Sequence, residues 1–142
     1  MKKRTRAREL TLQFLYQVDL RGLEMMDEVK QFLAEEEGDQ STREFALHLI
    51  RGIVEQDQEL DEMIAMVAQN WEIGRMAVID RNILRMATYE ILKRDDIPPK
   101  VSINEAIELG KRFSTSNSGA FINGILDKIK ERTRQNPKGE KA

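Results

Sequence analysis

The stretch that most constrains this chain is Val78 to Leu92. Val78, Ile79, Ile83, Leu84, Met86, Ala87, Tyr89, Ile91 and Leu92 recur there at helical spacing and leave little polar surface. A helix that is hydrophobic nearly all round must be enclosed by others, so the segment predicts a helical bundle with this helix at its centre. The flanking sequence supplies the rest. Ala7, Leu10, Phe14, Leu15 and Val18 form an apolar stripe on a first helix that ends near Gly22. Val29, Phe32 and Leu33 mark a short helix from about Met26 to Glu36, closed by Gly38. Ser41-Thr-Arg-Glu44 reads as a capping box opening a third helix with Phe45, Leu49, Ile50 and Ile53. A fourth carries Leu60, Met63, Ile64 and Val67 and stops between Trp71 and Gly74.

Pro98-Pro99 imposes an extended break, because proline lacks the amide donor and restricts its predecessor. Ser102-Ile-Asn-Glu105 reads as a second capping box, opening a helix with Ile103, Ala106, Ile107, Gly110 and Phe113. After the polar loop Ser114-Thr-Ser-Asn-Ser118, a last helix carries Phe121, Ile122, Ile125, Leu126 and Ile129. The expectation is an all-α fold of about seven helices over residues 1–134, in two sub-bundles divided near Asp57 or Gly74, with a disordered tail at 135–142.

At 142 residues the chain is the size of one domain and long enough to bury a core without staples. Cysteine is absent, which excludes a disulfide framework, a thiolate metal site and a thiol nucleophile, and agrees with a reducing cytoplasm. No apolar run reaches the roughly 18–20 residues that span a bilayer. The basic start followed by Leu10 to Val18 does not make an export signal, since Thr11, Gln13 and Gln17 interrupt it and no small-residue cleavage site follows.

A net charge of −2 conceals a marked asymmetry. Lys2, Lys3, Arg4, Arg6 and Arg8 crowd the first eight residues without an acid, residues 22–62 are strongly acidic, and the tail from Lys128 turns basic. Such separation suggests one polyanion-seeking end, the alternative being two solvated basic termini.

Reactive chemistry is not indicated. His48 is the sole histidine and has no cysteine or second histidine to complete a triad or zinc site, so it reads as structural. Glu35-Glu36-Glu37 point three ways around a helix and form no catalytic pair or closed metal site. Gly119 and Gly124 lack the lysine and hydroxyl partners of a phosphate loop, and Met63 and Met66 read as core filler. No catalytic residue, cofactor or metal ligand is expected.

Two segments invite a ligand. The basic arm runs straight into a helix, so its cations are expected on and around the first turn. The loop Ser114 to Gly119 feeds a helix start whose open amides suit phosphate or base edges. Phe113 and Phe121 flank that loop; Phe113 reads as core, whereas Phe121 reads either as core or as a stacking face for an unpaired base.

Three linked segments carry a family likeness. Arg6-Ala-Arg-Glu-Leu-Thr-Leu-Gln-Phe-Leu-Tyr16, Val78-Ile-Asp-Arg-Asn-Ile-Leu-Arg-Met-Ala-Thr-Tyr-Glu-Ile-Leu92, and Pro99-Lys-Val-Ser-Ile-Asn-Glu-Ala-Ile-Glu-Leu109 with Asn117-Ser-Gly-Ala-Phe-Ile-Asn-Gly-Ile-Leu-Asp127 stand in order and at the spacing of the NusB family. The chain resembles these bacterial transcription antitermination factors over residues 4–130. The resemblance implies an all-α fold of two helical sub-bundles. It also implies binding to single-stranded boxA RNA of nascent ribosomal transcripts, jointly with the ribosomal protein NusE, within an RNA polymerase complex containing other Nus factors. The RNA-binding positions it implies are Lys3, Arg4, Arg6, Arg8, Lys100, Ser116, Asn117, Ser118 and Phe121. Those facing NusE are Tyr16, Leu20 and Asp80. Thr5 and Ala120 depart from the family by removing a frequent cation, and Ser114 replaces a common glycine.

Two other classes compete with an RNA-binding factor. The same fold serves as an accessory domain of ribosomal RNA cytosine methyltransferases, but such an enzyme needs a Rossmann-like domain and a nucleophilic cysteine, and this sequence offers neither. The other is a helical protein-interaction module whose basic ends are only solvated.

Overall fold

The computed structural model describes residues 2–69, 72–115 and 117–135, and for residue 135 the backbone alone. Among them the chain forms seven α-helices and no strand: α1 (Lys3–Arg21), α2 (Val29–Glu36), α3 (Gln40–Glu55), α4 (Asp57–Val67), α5 (Val78–Lys93), α6 (Pro99–Phe113) and α7 (Ser118–Gln135). Short 3-10 turns occupy Leu23–Glu28 and Ile73–Arg75. The helices divide into two compact units at the Glu55–Gln56 junction, beside Asp57.

In the first unit α1 packs on α2 and α3. Leu10, Phe14 and Leu15 meet Val29, Leu33, Leu49, Ile50 and Ile53 in a core that is almost wholly buried. The Phe14 and Phe32 rings sit 5.2 Å apart at 54°, a tilted pairing that avoids face-to-face repulsion of their π clouds. Gly22 ends α1 with φ of 96°, a backbone that a side chain would strain.

The start of α3 differs from the capping box expected at Ser41. The helix begins two residues earlier, at Gln40, and Asp39 is its cap: Oδ2 accepts from the Thr42 amide at 2.9 Å, the Thr42 hydroxyl at 2.8 Å and the Ser41 hydroxyl at 2.7 Å. Glu44 instead accepts from the Gln40 side chain. A carboxylate can take all three donors, whereas a serine hydroxyl satisfies fewer, so Asp39 wins the position. These bonds, with the Ser41 hydroxyl foremost, hold the Asp39 carboxyl well below its ordinary value of 3.8. A lowered pKa contributes stability that is complete above pH 3.8 and drains as the pH falls below it. Asp39→Asn, which keeps a capping oxygen but cannot titrate, is expected to flatten the acid limb of the stability curve. Denaturant titrations across that range check this, and an unaltered limb would remove Asp39 from the acid response.

In the second unit α5 packs against α4, α6 and α7, as its all-round apolar surface requires. Two polar links fix its neighbours. Arg85 donates a fork to Asp61 on α4, Nε at 2.6 Å and a terminal nitrogen at 2.7 Å. The buried Ser102 hydroxyl of α6 donates to Glu90 at 2.8 Å. That second bond explains why Ser102 does not open its helix: α6 starts at Pro99, where the missing amide costs nothing because first-turn amides have no intrahelical partner. A Cβ at Gly110 would stand 2.7 Å from Ile122 Cδ1, so the glycine allows α6 and α7 their close approach. Two core expectations are corrected. Met66 is exposed on α4, and Phe113, at the last turn of α6, is 45% exposed because the helix ends there. The expected end of α4 near Trp71 and the tail beyond residue 135 lie outside the described residues.

Candidate nucleic-acid interface

The basic arm is helix from Lys3 onward, so its side chains fan out at 100° steps and differ in environment. Lys3 is exposed, with Nζ 3.3 Å from Asp39 Oδ1 and 3.4 Å from the Ser41 hydroxyl. Arg4 is exposed and lays its guanidinium 4.4 Å from the Phe45 ring centre. Arg6 is half-buried, its Nε 3.4 Å from Glu37, one terminal nitrogen 3.4 Å from Glu9, and the other donating to the Glu36 carbonyl. Arg8 corrects the expectation of a fully displayed arm. It is 2% exposed, with its guanidinium 5.5 Å from the same Phe45 ring. The helical phase places it one turn from Arg4 and on the side of Leu12 and Leu15, which are buried.

The exposed ring edge and apolar groups of this unit lie farther along α1. Tyr16 and Leu20, one turn apart, are 40% and 63% exposed, and Leu23 in the following turn is exposed as well. Leu23 was not singled out from sequence, because no stripe includes it. His48 is exposed on α3.

In the second unit the loop between α6 and α7 is organised by Ser118. Its hydroxyl is the hub: it donates toward Asp80 Oδ2 at 3.3 Å, lies 2.9 Å from the Ser114 hydroxyl and 3.1 Å from that of Thr115, and accepts from the Thr115 amide at 3.2 Å. Ser118 is therefore buried and shapes the loop from within. Asn117 is exposed beside it, and Phe121 is partly exposed in the first turn of α7. Ser116 lies outside the described residues. A hollow of about 290 Å³ brings together Asp80, Asn117, Ser118 and Phe121, with Arg75 at its edge. It offers an aromatic ring, a carboxylate, an amide and a guanidinium, the groups that recognise an unpaired base and its phosphate. Arg75 was not found in the sequence because it belongs to a short 3-10 turn without periodicity. Asp80, at the start of α5, also complements the positive end of that helix.

Lys100 is not part of this cluster. It is exposed in the first turn of α6, about 20 Å of helix from the loop that follows Phe113. Among the described residues no group of three or more His, Cys, Asp or Glu side chains is placed to hold a metal, and no helix is long and apolar enough to cross a membrane.

Fold and surface together define an all-helical protein of two units, the first with a basic helix start and the second with a polar hollow beside the α6–α7 loop. The family profile of NusB matches residues 5–131, and the chain belongs to the NusB family. A transcription antitermination protein NusB of Desulforapulum autotrophicum is 48% identical over 132 residues, covering 92% of both chains. Among solved structures, NusB of T. maritima is 42% identical over 90% of each chain, with a TM-score of 0.79. A second, of the antitermination factors NusB and NusE in complex with double-stranded RNA, is 26% identical, covers 93% of this chain and 98% of that one, and has a TM-score of 0.82.

Proposed function

We propose that this chain is a transcription antitermination factor that binds RNA and the ribosomal protein NusE. It holds the boxA element of nascent ribosomal transcripts while RNA polymerase, joined by other Nus factors, reads through terminators. The work is done in the cytoplasm and without catalysis. The observation that carries the reading is the hollow at the α6–α7 loop, where Phe121, Asn117 and Arg75 combine a stacking ring with polar and cationic groups. Within the first unit, Lys3 and Arg4 are exposed cations of the kind that meet phosphate. Tyr16, Leu20 and Leu23 supply the apolar surface that a protein partner would cover. The acidic excess over residues 22–62 suits a basic ribosomal protein.

The deciding experiment titrates boxA RNA and a scrambled strand into the protein, with and without NusE. Preferential retention of boxA, strengthened by NusE, is the expected result; equal, weak retention of both strands would leave a helical interaction module. The arm is tested separately. Arg4→Gln is expected to lower the slope of log affinity against log salt by about 0.7, the value for one phosphate contact to a single strand. The fold should be retained, since Arg4 lies on the surface. An unchanged slope would take Arg4 out of the interface.

A further inference from the structure

We propose that Phe113, with Arg112 against its ring, is a second stacking platform, taking an unpaired base of the same RNA strand that meets Phe121. The inference rests on the RNA-binding reading above and extends its site to the end of α6. Phe113 closes the apolar stripe Ile103, Ala106, Gly110, yet its ring is 45% exposed where the stripe predicts a core residue. The Arg112 guanidinium stands 4.8 Å from the ring centre, so the ring carries a cation rather than an apolar neighbour on that side. Scattered exposed hydrophobics are ordinary on protein surfaces and need no ligand. This one differs in its setting.

Lys111 carries its stem across the first turn of α7: its Cγ and Cε lie 3.6 and 3.4 Å from where a Gly119 Cβ would be. The end of α6 and the start of α7 are thus held together, and Ser114, the neighbour of Phe113, has its hydroxyl 2.9 Å from that of Ser118. Glu108, the acid facing Lys111, is 3.6 Å away and both side chains are more than half exposed, a pairing that water and phosphate displace readily. A flat ring with a guanidinium plane beside it fits a nucleotide: the base stacks on the ring and the phosphate meets the guanidinium. Such a platform serves unpaired bases, because bases stacked inside a duplex do not offer their faces.

The test measures retention of single-stranded boxA RNA and of the same RNA annealed to its complement, both with NusE present. Phe113→Leu keeps apolar bulk and removes the flat ring. It is expected to weaken single-strand binding about tenfold, to leave duplex binding, the salt slope and the unfolding midpoint unchanged, and to be rescued by Phe113→Trp. If the wild-type protein binds the single strand and Phe113→Leu binds it equally well, the platform falls and the RNA-binding reading stands. Equal weakening for single strand and duplex also overturns stacking. Wild-type protein that retains neither RNA overturns the RNA-binding reading, and this inference with it.

Discussion

Arg8→Ala is expected to destabilise the protein by about 3–5 kcal/mol, the range of a large-to-small change in a packed core, here with removal of a desolvated cation–π pairing. The side chain is 2% exposed and lies over the Phe45 ring, which joins α1 to α3. Arg4 shares that ring from outside, in contact with water, so Arg4→Ala should cost under about 1 kcal/mol. Denaturant unfolding of both variants separates the two roles. Were Arg8→Ala as stable as the wild type and defective only in RNA binding, Arg8 would belong to the displayed arm after all.

Phe121→Ala is expected to lower affinity for single-stranded boxA RNA roughly tenfold while costing under about 2 kcal/mol of stability. Ile122, Ile125, Leu126 and Ile129 already supply the buried stripe of α7, and Phe121 extends it to the partly exposed first turn, at the wall of the hollow. A fully buried phenylalanine would cost about 3–5 kcal/mol on truncation. RNA titration and unfolding on the same preparation decide between the two: a large loss of stability with RNA binding intact would return Phe121 to the core.

The fold was legible where periodicity decides it. The stripe from Val78 to Leu92 marks α5 to within a residue of its observed end, and its lack of a polar side predicts the three helices packed around it. Helix starts were less legible, because one motif admits two geometries. Asp39 outcompetes Ser41 because one carboxylate oxygen accepts three donors at once, and Ser102 spends its hydroxyl on a glutamate twelve residues back, a tertiary bond no local pattern encodes. At the candidate site, charge counting located the arm but not its rotational phase, which puts Arg8 inside and Arg4 outside. Phe113 differs for the converse reason: its phase is that of a core residue, but it falls in the last turn of α6, with a guanidinium instead of a core side chain against its ring. Arg75 and Leu23 carry no periodic signal, and only their position in space brings them to notice.

The pairings of Lys3 with Asp39 and of Arg6 with Glu9 and Glu37 give the arm its own built-in counterions. On the proposed reading, a phosphate arriving at Arg6 would exchange with a carboxylate that stays tethered to the protein, instead of releasing a salt ion to the bath. Fewer ions would then be liberated than cations engaged, and the salt slope would understate the number of phosphates held. The displaced carboxylates would also remain beside the strand as fixed negative charge, which opposes tight holding.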